Sequence, residues 1–176
     1  MKIFVNAGHG GTDPGAVSKN GTKEADITKK VSSLLACQLI QNGFNVEFFQ
    51  QEKSLAEVSQ VENNSNSDLF ISIHCNSFTD RKANGVEVYY FPTSTKGLKC
   101  ARIVQNELVD ATTLRDRGIG SRNDLHVLKR TKAVAILVEL AFLSNPEEEN
   151  LLLDEPIIFA DAICKAIKII KSEKVL

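Results

Sequence analysis

Three features predict an α/β fold: a single domain built on a mainly parallel twisted sheet of about five to six strands, with helices on both faces. Strand-like runs alternate with segments of helical period along the whole chain, the pattern of crossover units. Two runs, Leu69–His74 and Ala133–Leu140, are almost wholly apolar, as expected of strands covered on both faces. A glycine-rich loop, Asn6–Ala16, follows the first apolar run directly, where loops at the carboxyl ends of parallel strands form a crevice.

The elements follow in order. Lys2–Val5 has the β-branched and aromatic content of a first strand. Glu24–Gln41 carries Ile27, Val31, Leu34, Leu35 and Leu39 near helical spacing, and Gly43 stops it. Phe44–Phe49 alternates as a second strand. Ser54-Leu55-Ala56-Glu57 has capping-box spacing and opens a short helix with Leu55, Val58 and Val61 on one face, ended by the polar 63–67 stretch. Gly85–Phe91 is a further strand closed by Pro92, and Lys96–Ala111 a further helix. Leu114–Leu125, polar with two glycines, reads as a surface loop whose Arg115, Arg117 and Arg122 are solvated or meet a substrate carboxylate. His126–Lys129 is a short strand candidate. Asn145 caps a helix with Pro146 at its first position and Glu147, Glu148 and Glu149 in its first turn. Pro156–Lys171 is the last helix, with Phe159, Ile163, Ile167 and Ile170 inward.

Bulk properties limit the partners. At 176 residues and 43% hydrophobic, residues 1–176 make one domain with a proper core. The 21 basic and 22 acidic side chains leave a net charge of -1, so no long-range field favours nucleic acid or an anionic membrane. No run reaches the roughly 18 apolar residues of a membrane span, and no export signal pattern opens the chain. The chain is expected to be soluble and unprocessed, or a domain of a longer secreted protein. It is expected to be monomeric. Cys37, Cys75, Cys100 and Cys164 show no CxxC spacing and read as free buried thiols.

The chemistry-bearing residues are His9, Glu24, His74 and Glu139. Each has an ordinary reading alone: a loop histidine, charge placement at a helix start, a packed core histidine, and a buried carboxylate in a salt bridge. Together they fall at or near the carboxyl ends of strands. Two imidazoles and one carboxylate are a three-donor set of catalytic zinc sites, and a further carboxylate can move the proton. Strand alternation turns Cys75 away from the face that His74 uses. His126 reads as a surface or packing histidine.

The segments NAGHGGTDPGA, KEADI, DLFISIHCNS, GVEVYYF, DRGI and ILVELAFLSNPEEE together resemble, in order and over nearly the whole chain, the zinc-dependent N-acetylmuramoyl-L-alanine amidases of the Amidase_3 type. The resemblance implies one zinc ion per chain held by His9, Glu24 and His74, with Glu139 as the catalytic glutamate. It implies a peptidoglycan (cell-wall) hydrolase of the autolysin or endolysin kind, cleaving the amide between the lactyl group of N-acetylmuramic acid and L-alanine. Asn6 stands where the family usually has Asp, and Gln50 or Gln51 and Val58 where it tends to carry arginine. The single helix between Phe91 and Leu114 leaves no room for the occluding insertion of regulated division amidases, so an open cleft is expected.

Two other readings compete with this one. A catalytically inactive cell-wall binding module of the same fold has no need for a buried carboxylate at position 139. A phosphate cradle fails because the loop lacks GxxxxGKS/T, GxGxxG and a lysine. Action on the cell wall without an export signal suits a phage lysin or the excised catalytic domain of a secreted protein.

Overall fold

The computed structural model describes residues 1–52 and 54–176. Its elements are β1 (Lys2–Ala7), α1 (Glu24–Gln41), β2 (Asn45–Gln50), α2 (Leu55–Ser65), β3 (Leu69–Asn76) and β4 (Val86–Tyr90). There follow α3 (Thr95–Thr112), β5 (Asp116–Ser121), α4 (His126–Arg130), β6 (Val134–Phe142), α5 (Pro146–Asp154) and α6 (Pro156–Ser172). The strands form one six-stranded sheet in the order β2-β1-β3-β6-β4-β5. All neighbours pair in parallel except β4 and β6, so the β4–β5 pair runs against the other four strands.

Strand alternation divides the apolar residues between two unequal faces. On one face Ile3, Val5, Ile71, Ile73, Ile136 and Val138 pack against α1, α3 and α6 in the main core. On the other, Phe4, Phe70, Ala135 and Leu137 meet the buried Val58 of α2 and Val127 and Leu128 of α4, with half-buried Phe49, Val61 and Leu125 among the residues at the rim. These covering helices have 11 and 5 residues, against 18, 18 and 17 opposite. The thin cover protects the middle of the sheet and leaves its carboxyl edge open on that side.

Residues directly opposite one another in neighbouring strands share a face. The thinly covered face is therefore laid out in rows: Phe4–Phe70–Ala135, then Asn6–Ser72–Leu137–Tyr89, then His74–Glu139–Glu87. The rows change from aromatic and aliphatic, through a buried hydrogen-bonded layer, to a line of ionisable groups at the edge. In the middle layer the Ser72 hydroxyl donates to Asn6 Oδ1 at 2.7 Å, and the Asn6 amide donates to the carbonyls of Ala7 and Phe49.

Most predicted elements are present, and the first helix keeps its bounds. Ser54 caps α2 by accepting from the Glu57 amide, and Asn145 caps α5 by accepting from those of Glu147 and Glu148. Three expectations are corrected. The segment 114–125 is not all loop, since Asp116–Ser121 pairs with β4 as an edge strand. His126–Lys129 is helical: Val127 and Leu128 are both buried, as neighbours on the inner side of one turn can be. Cys37 is exposed, whereas Cys75, Cys100 and Cys164 are buried free thiols as predicted.

The start of α5 binds distant parts of the fold. The Glu148 carboxylate accepts from the backbone amides of Gly85 and Phe142 at 2.7 and 2.6 Å, joining the start of β4 to the end of β6. The Glu149 carboxylate accepts from Ser18, Asn20 and Thr22, fixing the turn that precedes α1. Glu148→Ala leaves two backbone amides without acceptors at a buried position, and each such loss costs about 1–3 kcal/mol. Urea unfolding should place this variant about 3 kcal/mol or more below the parent, with Glu148→Gln intermediate; an unchanged midpoint would contradict the structural role given to this carboxylate.

Candidate metal centre and active site

Beyond Ala7 the chain is held across the sheet edge by its own backbone. The Gly8 amide donates to the Ile73 carbonyl at 3.0 Å, and the Gly8 carbonyl accepts from the Thr28 hydroxyl at 2.6 Å. A Cβ at Gly8 would strike the His74 ring, so only glycine lets the strands bring both imidazoles together. His9 itself has φ 61°, a left-handed conformation that costs a non-glycine residue energy and is found where function requires it. Gly15, at φ 66°, returns the loop so closely that a Cβ there would lie 2.6 Å from Glu24 Oε2.

Glu24, in the first turn of α1, lies between the two histidines. Its Oε2 is 3.3 Å from His9 Nε2 and its Oε1 is 3.1 Å from His74 Nδ1. The amides of Ala16 and Cys75 donate to its two oxygens at 2.9 Å each. The imidazole rings meet edge to face with centroids 5.0 Å apart, and one donor atom from each of His9, Glu24 and His74 lies within 4.8 Å of the others. His9 Nδ1 is 2.8 Å from the Asp13 carboxylate, which orients the ring with its other nitrogen toward Glu24.

Electrostatics separate the two carboxylates of the site. Burial disfavours the Glu24 anion, but bonds from His74 and His9, their charge, and the Ala16 amide outweigh it and hold its pKa well below the usual carboxylate range. The same bond from Glu24, reinforced by Asp13 and opposed by burial, raises His9 to about 9. Glu139 goes the other way. Burial raises it to about 7, with the Glu24 and Glu87 carboxylates adding to the rise and His74 opposing it. Its Oε2 is buried without a hydrogen-bond partner among the described residues. Two nearby carboxylates with pKa values driven apart are an acid–base arrangement, one permanently ionised and one able to exchange a proton near neutral pH.

The structure thus brings all four sequence-predicted residues to one edge. Glu139 lies opposite His74 in the β3–β6 register. Cys75 points into the main core, where burial holds its thiol well above its ordinary pKa. Of the loop arginines, Arg117 bonds Glu87 at 3.0 Å, and Arg122 pairs with Asp124 at 2.7 Å while lying over the Tyr89 ring. Sequence reasoning missed Asp13 and Glu87. Asp13 lay inside the glycine loop already singled out, and Glu87 was visible as the one charge in an apolar strand. Glu87 also accepts from the Asn76 amide at 2.6 Å.

A cavity of about 380 Å³ opens beside the two imidazoles, with Leu55, Leu125, Val127 and Leu137 forming its apolar wall and His126 at its far side. His9 and His74 side chains remain 25% and 13% exposed, so the donor set is accessible from this cavity. One helix, α3, occupies the span between Phe91 and Leu114, and no occluding element lies there.

Known proteins share this arrangement of elements. Residues 3–169 match the family model of the N-acetylmuramoyl-L-alanine amidases, Amidase_3. LytH of Staphylococcus epidermidis, which carries a cell-wall amidase designation, is 33% identical over 155 residues, covering 87% of this chain and 52% of LytH. The chain therefore spans about half the length of that relative. An N-acetylmuramoyl-L-alanine amidase from Clostridium difficile 630 superposes with a TM-score of 0.91 at 30% identity, covering 98% of this chain and 97% of that one. The catalytic domain of CwlV from Bacillus (Paenibacillus) polymyxa gives 0.87 at 30% identity, with 99% of each chain covered. By its sequence over nearly its full length and by its fold, the chain belongs to the N-acetylmuramoyl-L-alanine amidase family Amidase_3.

Proposed function

We propose that residues 1–176 are the catalytic domain of a zinc-dependent peptidoglycan amidase, which hydrolyses the amide between the lactyl group of N-acetylmuramic acid and L-alanine. One observation carries this reading: a half-buried carboxyl with a pKa of about 7 and one buried, unpartnered oxygen lies in the same cross-strand row as His74 of a clustered two-histidine, one-carboxylate donor set. That donor set suits zinc, whose catalytic sites use three protein ligands of these types. His9, Glu24 and His74 would hold the ion, and the Glu24 anion would supply the negative charge. An ion held by these residues would supply polarisation of a carbonyl oxygen and a water pKa lowered to about 7.

The chain's own residues supply the rest. Asp13 fixes the His9 ring, and the Ala16 and Cys75 amides fix the Glu24 carboxylate, so the donors are oriented before an ion arrives. Glu139, poised near neutrality, takes a proton from the attacking water and returns it to the departing alanine nitrogen. An inactive binding module is disfavoured, because it has no use for a carboxyl with a buried, unpartnered oxygen at this position. Action on peptidoglycan places the working protein at the cell wall.

Three experiments test the assignment. Glu139→Gln should keep its metal content by elemental analysis and lose about 10²–10⁴ in the rate of L-alanine amino groups released from sacculi. Wild-type release by that variant would remove Glu139 from the mechanism. Chelation should abolish release and zinc restore it. Because His9 holds a proton up to about pH 9 in the metal-free chain, that proton must leave when zinc binds. Calorimetry in buffers of different ionisation heat should therefore show about one proton released per zinc at pH 7. Apparent affinity should fall roughly tenfold for each pH unit below 9, down to the range where further groups protonate. Zinc uptake without proton release would show that His9 is not a ligand.

A further inference from the structure

The cavity beside the imidazoles does not end at His126. A second, shallower cavity of about 440 Å³ begins on the other side of that ring and runs along the seam between α2 and α4. His126 borders both cavities. The Ser59 hydroxyl, 3.2 Å from His126 Nε2, holds the ring in place, and the Asn63 side-chain amide donates to the Arg130 carbonyl farther along, so the seam is pinned at two points. With His126 as their shared lining residue, the two cavities make a candidate groove from the donor set to the seam.

The chemistry of the groove changes along its length. Near the donor set its wall is aliphatic. Beyond His126 it is lined by Ser59, Gln60, Asn63 and Asn64 of α2 facing Arg130 and Lys132, with no carboxylate among its described lining residues. Both cations are exposed, and neither has an ion-pair partner among the described residues, unlike Arg117 and Arg122. Glu62, which feels the Lys132 charge, is buried in α2 and already accepts from the backbone amides of Lys132 and Ala133, with no ion pair to either cation. In a chain with net charge -1, such a pair of free cations at the end of a groove is a local feature and not a general basic surface.

We propose that this seam binds the peptide arm of the substrate, and that Arg130 and Lys132 read its carboxylates. The proposal rests on the amidase reading above. The wall suits an alanine methyl beside the reaction centre, and side-chain amides suit an extended backbone. The cations suit acidic groups farther along. A glycan fits less well, since among its described lining residues the seam offers no aromatic ring apart from the His126 imidazole on which a sugar could stack. His126 and Arg130 are one helical turn apart, roughly 6 Å, so a peptide passing His126 reaches Arg130 about two residues later. Specificity for acidic over amidated stem peptides would then reside in two residues remote from the donor set.

The test compares an N-acetylmuramoyl tetrapeptide carrying free carboxylates with the same compound after its carboxylates are converted to amides. Wild type should show a lower KM for the free acid by about threefold to tenfold, diminishing with added salt, as for exposed charge pairs. The Arg130→Ala/Lys132→Ala variant should raise KM for the free acid to that of the amide, with kcat and zinc content unchanged. Titration of the Glu139→Gln protein with both peptides should show the same preference in binding alone. Equal KM values for acid and amide with wild type, or a preference that survives in the double variant, would overturn the proposal. Loss of affinity for the peptide-free disaccharide in the double variant would overturn it in favour of a glycan site. Failure of wild type to cleave either compound would instead remove the amidase reading on which it rests.

Discussion

The active edge depends on one carboxylate held between two imidazoles. Glu24 is buried, and a buried anion is tolerated only where hydrogen bonds and positive charge replace water. Here two backbone amides and both histidines do so, His74 and Cys75 from β3 and His9 and Ala16 from the loop after β1. His74 arrives on β3, His9 on the loop after β1, and Glu24 on the helix that follows. The arrangement therefore requires β1 and β3 to be neighbours, which the sheet order provides. It also requires the intervening loop to turn back on itself. Gly8 and Gly15 permit the close approaches, and the Glu149 carboxylate holds the turn at Ser18–Thr22 from the opposite end of the chain.

The same charge accounts for the behaviour of its neighbours. By ionising permanently, Glu24 raises the proton affinity of His9 and, through space, that of Glu139. Glu139 differs because it has no comparable set of donors. Its Oε2 has no partner among the described residues, while Glu24 accepts from four groups. The two glutamates are therefore shifted in opposite directions by their surroundings and not by their residue type. Such an unpartnered group costs stability, and a chain selected for folding alone would not place it there.

How much of this was legible in the sequence depends on whether the signal was local. The bounds of α1 were readable because its apolar period is long and Gly43 ends it. The central strands were readable because burial on both faces makes them continuously apolar. His9, Glu24, His74 and Glu139 stood out because each lies at or near the carboxyl end of a strand-like run or in the first turn of a helix, and ordered motifs tied them together. β5 was missed because it is an edge strand with Ile119 as its one large aliphatic residue, and its pairing with β4 has no local signature. α4 was misread because five residues are too few to display a helical period. Glu87 was passed over for a different reason: its place beside Glu139 follows from antiparallel β4–β6 pairing, which reverses the direction assumed for the sheet.

That reversal matters for the site. Parallel β3 and β6 bring His74 and Glu139 into register, and antiparallel β4 then adds a second carboxylate to the same row. Glu87 is neutralised on its outer side by Arg117, so it raises the Glu139 pKa without leaving an isolated charge. On the inner side the row ends at an open edge, because α2 and α4 are too short to cover it. A longer cover would bury more apolar surface but would close the approach to both imidazoles. The weaker of the two faces is thus the functional one, and the larger core against α1, α3 and α6 supplies the stability that lets the thinly covered face remain open.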